Sequence, residues 1–283
     1  MAGWVSISDY EYPEGLRNSP NPPRILFYKG NWRPEIFDNC LAVVGSRKMS
    51  LYGKKVVSEI ISVLSKKITI VSGFMTGVDM EAHVQALKFG LSTIAVMPCG
   101  IDLIHPRGND FTYNEIIKKN GLIMSEYESL FQPKIWTYPR RNRIVAGLSK
   151  AVLVIEASVN SGSLITARLA NSCKRKVFVI PGSIFSNLTE GKVQISKDFA
   201  EFIYSGLEIN EFFNFFEDSV SSKSSIEKRE NTNEILRALE NDSMAVDDLS
   251  RKLGREVSDI NRELTILLLK NEVTEKEGKF YAC

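Results

Sequence analysis

An aromatic and basic segment, YPRRNRIVAGLS, is the first candidate for chemistry in this chain. It places Arg140, Arg141 and Arg143 close to Tyr138, with Asn142 between two of the cations. Such a mixture suits a single-stranded nucleic acid, because phosphates need positive charge and unpaired bases stack on ring faces. The alternative is that these arginines are simply charged residues exposed to solvent, without a ligand. Since the segment continues directly into the apolar IVAGL, we expect it to lie against the core at a sheet edge.

A second candidate is the turn GSRKMSLYG, which joins an apolar run to an amphipathic one. Gly45, Ser46 and Arg47 combine an adaptable backbone, a hydroxyl and a cation, which suits a phosphate at a helix N-terminus. The turn lacks the spacing of a P-loop and of the GxGxxG fingerprint, so it does not indicate a nucleoside triphosphate or nicotinamide site. A surface or structural role for Arg47 remains the alternative.

The segment SGFMTGVDMEAH is a further glycine-punctuated turn, with Ser72, Gly73 and Gly77 before an amphipathic stretch. Asp79 is predicted to cap the helix that follows, and His83 lies four residues later on the same face. An Asp/His pair can serve catalysis or a metal, but no third ligand stands nearby. We therefore expect the pair to hold the loop, and we expect no metal and no cofactor.

The segment EASVNSGSLITARLA opens a helix with a cluster of small hydroxyl residues. Free backbone N–H groups and the helix dipole favour an anion at such a position, and Ser161, Ser163 and Thr166 can add hydroxyl donors. N-capping explains one serine but not the cluster.

Each of these turns follows a short apolar run, and the runs alternate with amphipathic stretches. That pattern predicts an α/β fold with an extended Rossmann-like parallel sheet. Small residues follow nearly every run; tight turns favour them, but a ligand bound outside the carboxyl ends of the strands requires them too. The predicted strands are 41–44, 68–71, 93–97, 121–124, 151–155 and 176–180.

Composition along the chain predicts four segments. Residues 1–38 are a lead-in rich in proline and asparagine with one strand, and residues 39–218 are the Rossmann-like domain. A polar linker follows at 219–230. Three amphipathic helices and a hairpin turning at Glu277-Gly278 predict a small winged-helix domain over 231–283.

Overall composition is that of a globular protein, with 43% hydrophobic and 25% charged residues among 283. The net charge of +2 is too small to indicate nucleic-acid binding by itself, although residues 219–283 hold 11 Lys+Arg against 13 Asp+Glu, so the basic surplus lies before them. Neither a secretory signal nor a membrane-spanning run is present, and the four cysteines form no CxxC pair. We expect a cytoplasmic protein that does not bind a membrane.

Taken in chain order, the motifs resemble those of the DprA/Smf family of DNA-processing proteins. The family pattern GSR, then SG…G-D-x-x-A-H, is matched by the turns that begin at Gly45 and Ser72. The resemblance continues through SEY, RNR, GLS, EA, SGS, TA and PGS, and covers about residues 12–215.

This resemblance implies a non-enzymatic protein that binds single-stranded DNA in a basic pocket during natural transformation and recombination. It also implies a homodimer that protects the strand and helps to load the RecA recombinase onto it. Arg47 and Arg143 would hold phosphate, and Tyr138 would stack on a base. The residues predicted to bind DNA are Gly45, Ser46, Arg47, Ser72, Gly73, Gly77, Tyr138, Arg140, Arg141, Asn142, Arg143, Ser161, Gly162, Ser163 and Thr166.

Two departures from the family pattern affect the expected site. Met75-Thr76 stands where the family has an Ala-Arg pair, so one expected cation is missing. The stretch 188–206 lacks the usual Asn-x-Leu-Ile-x-x-Gly-Ala ending. Neither the RecA-contacting surface nor the dimer geometry follows from the sequence.

Two other functions compete with this interpretation. A phosphoribohydrolase of the LOG type also ends its strands in glycines, but it carries a PGGxGTxxE loop where this chain has EASVNSGSLITA. Glu156 precedes the loop here, whereas the hydrolase glutamate follows it. The third possibility is a transcription regulator that acts through the winged helix.

Overall fold

The apolar runs of the sequence form a central sheet, and both of its faces are covered by helices. In the computed structural model the described residues are 2–215, 234–239, 242–269, 272–276 and 278–282. The chain divides into two units, Met1–Ser219 and Val220–Cys283.

The sheet of the first unit has nine strands in the order β1-β2-β6-β5-β4-β3-β7-β8-β9. All neighbours are parallel except β1 with β2 and β2 with β6. From β3 the chain builds the sheet first towards β6 and then, from β7, in the other direction, so the strand order reverses between β3 and β7. The strands are β1 (Gly3–Ser6), β2 (Ile25–Gly30), β3 (Cys40–Val44), β4 (Thr69–Ser72), β5 (Thr93–Gly100), β6 (Leu122–Tyr127), β7 (Ala151–Val154), β8 (Lys176–Val179) and β9 (Glu201–Phe202).

Helices on each face bury the apolar side chains of the strands. In β3, Ala42 and Val44 belong to the core on one face, while Leu41 and Val43 belong to the core on the other. Burial on both faces explains why the central strands are continuous apolar runs. The helices of this unit are α1 (Glu14–Arg17), α2 (Leu51–Ser62), α3 (Val78–Lys88), α4 (Asp110–Lys118), α5 (Thr137–Leu148), α6 (Gly162–Ser172), α7 (Asn187–Ser196) and α8 (Gly206–Phe212).

The N-terminal segment contributes more to the fold than the sequence indicates. Residues 1–38, predicted as a lead-in with one strand, supply both β1 and β2. The pairing of Phe27 with Ser125 and of Tyr28 with Met124 joins β2 to β6. The six predicted strands correspond to β3–β8, with ends that differ by at most a few residues, and the α/β fold class is confirmed.

Among its described residues, the second unit contains three helices and a hairpin, as the sequence predicts. Its elements are α9 (Glu234–Leu239), α10 (Val246–Leu253), α11 (Val257–Leu269), β10 (Val273–Lys276) and β11 (Lys279–Ala282). Leu249, Ile260 and Leu264 are central to its own apolar core. The predicted linker, 219–230, and Glu277 of the predicted turn lie outside the described residues. Within the part of the chain that the structure describes, no helix has the length and apolarity needed to cross a membrane.

Candidate nucleic-acid interface

A cavity of about 570 Å³ lies outside the carboxyl ends of the strands, where the strand order reverses. Open α/β sheets bind their ligands at this point because the turns diverge there and leave a crevice. The turns after β3, β4 and β7 form its walls together with α5. The predicted residues that line the cavity are Gly45, Ser46, Arg47, Gly73, Tyr138, Arg141, Asn142, Ser161, Gly162, Ser163 and Thr166.

Arg47 and Tyr138 meet in this cavity although 90 residues separate them in the chain. The Arg47 guanidinium lies 5.1 Å from the centroid of the Tyr138 ring, within the range of a cation–π contact. The Tyr138 hydroxyl is 2.8 Å from the Nε2 atom of His105. Partial burial lowers the pKa of His105, and the charges of Arg47 and Arg141 act in the same direction. The hydrogen bond therefore orients the ring without adding a further charge.

Arg141 lies buried against the floor of the cavity and contacts the strand ends. Its guanidinium donates hydrogen bonds to the carbonyl oxygens of Gly73 and Val96. Burial lowers the pKa of Arg141, which the negative charge of Asp79 opposes. Burial also raises the pKa of Asp79, while the charge of Arg141 and a hydrogen bond from the Met75 backbone lower it. Arg141 thus holds two strand ends and Asp79 together, and it contributes positive potential to the cavity from its floor.

The turns after β3 and β4 are locked to one another. The Val78 N–H donates to the Ser46 carbonyl at 3.1 Å, and a Cβ on Gly77 would overlap that same oxygen. Gly77 also has a φ of 87°, which side chains other than glycine rarely adopt. The prediction that Asp79 caps α3 is wrong: Gly77 is the N-cap residue and no side-chain cap bond is formed. Asp79 instead faces the cavity.

The N-terminus of α6 opens towards the cavity, as the hydroxyl cluster predicts. Ser161 is the N-cap residue, and its hydroxyl accepts from the Ser163 N–H at 3.3 Å. The two hydroxyls are 2.6 Å apart. Asn142 of α5 donates from its side chain to the Gly162 carbonyl at 3.3 Å, which ties α5 to this turn. An added Cβ on Gly162 would meet nothing within 4 Å, so the backbone there is open to a ligand.

Four predicted residues do not line the cavity. Arg140 and Arg143 both bond to the carboxylate of Glu126, and the Arg143 side chain is only 10% exposed. Ser72 and Gly77 stand behind the wall, where the Ser72 hydroxyl donates to the Val43 carbonyl at 2.6 Å. The arginine cluster in the sequence is therefore divided in space, because consecutive helix positions point in different directions.

Several lining residues were not identified by their sequence motifs. Lys48 adds a second exposed cation beside Arg47, and the pattern GSRK contains that signal. The apolar members have no such signal, since an apolar side chain in or beside a helix resembles an ordinary core residue. They include Met75, Ile135, Val145, Ile165 and Leu188.

Glu156, the glutamate on which the hydrolase alternative depends, has a structural role. It is buried, and its carboxylate accepts hydrogen bonds from the backbone N–H and the hydroxyl of Ser50. Ser50 in turn caps α2 by accepting from the Gly53 N–H at 3.0 Å. Glu156 therefore orders the start of a helix and does not face the cavity. Across the described ranges, no group of three or more His, Cys, Asp or Glu could hold a metal ion.

His83 belongs to the core rather than to the site. The Thr93 hydroxyl donates to the Ile70 carbonyl at 3.0 Å, so it accepts from the Nδ1–H of His83 at 2.7 Å. The Nε2 atom is buried without a partner among the described residues. Burial lowers the pKa of His83 to about 3. The expectation of a structural role for this residue agrees with its position.

A mostly parallel sheet between helical layers, a cationic and aromatic cavity at its switch point and a separate winged-helix unit define a two-unit Rossmann-like protein. Comparison with known families identifies the family within this class of protein. A family model described as DNA recombination-mediator protein A matches residues 3–214, and one described as DprA winged helix domain matches residues 221–279. The chain belongs to the DprA/Smf family of DNA-processing proteins, and not to a family of enzymes.

Curated relatives are similar over most of this chain. The DNA processing protein DprA of Streptococcus pneumoniae is 41% identical over 210 residues, which cover 74% of each chain. Protein Smf of Escherichia coli is 38% identical over 205 residues, which cover 72% of this chain and 54% of the relative.

Solved structures show the same fold. The crystal structure of the S. pneumoniae protein superposes with a TM-score of 0.69 at 39% identity, covering 73% of this chain and 72% of the other. The Helicobacter pylori DprA structure, whose subject is a single-stranded DNA binding mode, has a TM-score of 0.65 at 31% identity. It covers 74% of this chain and 95% of the other.

Proposed function

We propose that the cavity binds single-stranded DNA, and that the protein protects the strand and helps to load RecA onto it during transformation and recombination. The contact between Arg47 and Tyr138 carries the proposal, since it places an exposed cation against an aromatic ring in one cavity. A single strand offers phosphates to the cation and unpaired bases to the ring. The single-stranded DNA binding of the H. pylori relative supports it.

The shape of the cavity favours a single strand over a duplex. A stacked base pair cannot present its ring face to Tyr138, whereas an unpaired base can enter between Tyr138 and the apolar wall formed by Ile135 and Ile165. The exposed Arg47 and Lys48 lie where the sugar-phosphate backbone would leave the cavity.

Fluorescence anisotropy with an oligodeoxythymidine and with a duplex of equal length tests this proposal. We expect tighter binding of the single strand, which Tyr138→Phe retains and Tyr138→Leu weakens. Phenylalanine keeps the ring and loses only the bond to His105, whereas leucine removes the stacking face. Stacking contributes roughly 1–3 kcal/mol per base. Equal affinities of Tyr138→Leu and the unchanged protein would contradict the proposal.

We further propose that the protein delivers the strand to RecA, that it forms a homodimer and that it is cytoplasmic. Filament formation by RecA on strands covered with single-strand-binding protein measures the delivery step. We expect the protein to accelerate filament growth and Arg47→Ala to do so less. Sedimentation equilibrium measures the oligomeric state.

A further inference from the structure

A second basic groove lies at the opposite edge of the sheet, beside the amino ends of β7 and β8. It has a volume of about 740 Å³ and opens to solvent. Its cations come from the turns that lead into these strands, and its other walls come from α6, α8 and the chain after α7. The residues that line this amino-edge groove are Lys150, Asn171, Lys174, Arg175, Lys176, Phe199 and Phe212.

The described lining of the amino-edge groove contains four cations and no carboxylate, and only Lys176 among them forms an ion pair with a described residue, to Glu201. Helices α5 and α6 end at this edge, and each helix C-terminus adds about half a negative charge. Lys150 and Arg175 also line a neighbouring cavity that contains Glu11, Glu14 and Asp38, so the positive charge is least opposed by carboxylates at Lys174.

Two of these cations are exposed to solvent. Lys174 follows the end of α6 with a φ of 55° and its side chain is exposed. Lys150 is also exposed, and its ammonium donates to the neutral side chain of Asn39 at 3.0 Å. Arg175 is only partly exposed and donates to the Gly15 carbonyl at 3.1 Å. Attraction to a helix C-terminus accounts for the cations that follow α5 and α6, but it does not account for Lys176, the first residue of β8.

Aromatic rings line the groove beside these cations. Phe212 is 40% exposed and meets Phe178 edge to face, with ring centroids 5.6 Å apart. The ammonium of Lys176 lies 5.7 Å from the Phe178 centroid. Exposed phenylalanine in a cationic groove suits unpaired bases, because their faces can stack on the ring, whereas the bases of a duplex are already stacked on one another.

We propose that the amino-edge groove is a second contact for single-stranded DNA, which holds the part of a long strand beyond the nucleotides bound in the cavity. Lys150 and Lys174 bind phosphates, and Phe212 stacks on a base. The proposal rests on the proposed function, because the cavity supplies the first contact. A strand held at both sheet edges must extend beyond the nucleotides bound in the cavity.

The test compares a short and a long oligodeoxythymidine, of about 6 and about 35 nucleotides, in the full-length protein. We expect the double variant Lys150→Gln/Lys174→Gln to bind the short strand as the unchanged protein does. Its affinity for the long strand should fall roughly tenfold at low salt. The log–log salt slope for the long strand should fall by about 1.4 in magnitude, since each lost phosphate contact removes about 0.7.

Two controls isolate the groove from the net charge of the protein. Lys118→Gln/Lys119→Gln removes the same charge from exposed positions at the end of α4, and should leave the long-strand affinity unchanged. Lys150→Arg/Lys174→Arg should restore it.

The outcomes separate this inference from the proposed function. Unchanged long-strand affinity and salt slope in the glutamine variant would overturn the proposal for the groove and leave the proposal for the cavity standing. An equal loss in the α4 control would overturn it as well, by assigning the effect to net charge. Failure of the unchanged protein to bind either strand would overturn both proposals.

Discussion

The charged residues around the cavity fall into two groups that perform different physical tasks. Arg141, Asp79 and Glu156 are tied to backbone or to neighbouring side chains, and they fix where the turns lie. Arg47 and Lys48 are exposed. A buried charge needs such partners to offset its desolvation, whereas a charge that binds a ligand must keep its hydrogen-bonding positions free for it.

We predict that Arg47→Ala weakens single-strand binding without changing stability. The loss should be about ten- to a hundredfold, because a hydrogen bond to a charged group contributes roughly 1.5–3 kcal/mol. It should not depend on base sequence, because phosphate contacts carry no base information, and the salt slope should fall by about 0.7 in magnitude. Anisotropy titrations over a range of salt measure both, with Arg24→Ala as control, since Arg24 is exposed and does not line the cavity. Equal losses in the two variants would contradict the assignment of Arg47.

Acid should destabilise the protein through His83. In the folded state His83 stays neutral down to about pH 3, because burial lowers its pKa, whereas in the unfolded chain it binds a proton below about pH 6.5. Between these values the unfolded state binds more protons. The free energy of unfolding therefore falls as pH falls, by up to about 1.4 kcal/mol per pH unit for this one group.

Urea unfolding of His83→Gln from pH 7 to pH 4 measures this contribution. The variant should be less stable at pH 7, where the bond to Thr93 is weakened, but should lose less stability on acidification. The control is His105→Gln, because His105 is partly exposed and its slope should change less. Parallel pH profiles for His83→Gln and the unchanged protein would contradict the prediction.

Residues of the cavity could be predicted from the sequence where their position just after a strand determines their role. The turns GSR and NSGS follow strands, and both reach the cavity as expected. The environment of Arg143 in α5 could not be predicted, because it depends on Glu126, which the fold brings near from strand β6. Arg143 remains a predicted DNA contact, but binding would require its side chain to leave that carboxylate.

At the scale of elements, the site depends on turns that lock to each other rather than on any single helix. The turn after β3 receives the Val78 N–H, and the turn after β7 receives the Asn142 amide. The first bond joins the start of α3 to a neighbouring turn, and the second joins the middle of α5 to the start of α6. The walls of the cavity are therefore set by contacts between elements.

We predict that Gly77→Ala disrupts the cavity while Gly90→Ala does not. Both glycines have positive φ, 87° and 73°, so both substitutions carry backbone strain of at least about 1 kcal/mol. The ψ of −134° at Gly77 lies outside the left-handed helical region, so the strain there is expected to be larger. They differ in space: a Cβ at Gly77 would overlap the Ser46 carbonyl, whereas one at Gly90 would meet nothing within 4 Å. Only Gly77→Ala must move the Ser46–Arg47 turn.

Thermal unfolding and single-strand titration together measure this difference. Both variants should be destabilised by backbone strain, and Gly77→Ala should be destabilised more, by the larger strain and by the overlap with the Ser46 carbonyl. Single-strand affinity should fall only in Gly77→Ala. Equal affinity in the two variants would show that the locked turns do not position Arg47.

Strand positions could be predicted from the sequence because both faces of the sheet are buried, which makes the central strands continuous apolar runs. The strand β1 could not, since its four residues, GWVS, contain no such run and obtain their place from pairing with β2. Strand β9 has two residues and is fixed by β8 in the same way.

At the scale of the whole molecule, charge divides unequally between the two units. The segment 219–283 holds 11 Lys+Arg and 13 Asp+Glu, whereas the rest of the chain has the basic surplus. Helix α11, which corresponds to the recognition helix of a winged-helix fold, carries Asp259, Arg262 and Glu263, so its charges nearly cancel. Glu263 also pairs with Arg255 at 2.7 Å. This surface offers little attraction to a polyanion.

We therefore predict that the winged-helix unit is dispensable for single-strand binding. A truncated protein ending at Ser219 should keep most of the affinity of the full chain for an oligodeoxythymidine, because the cavity lies wholly within the first unit. The isolated segment 220–283 should bind a duplex weakly or not at all, since a recognition helix needs cations for the phosphates on either side of the groove. Anisotropy titrations of both fragments, with circular dichroism to establish that each is folded, measure these affinities. Loss of single-strand binding in a folded truncation, together with tight duplex binding by the segment, would favour the transcription-regulator alternative instead.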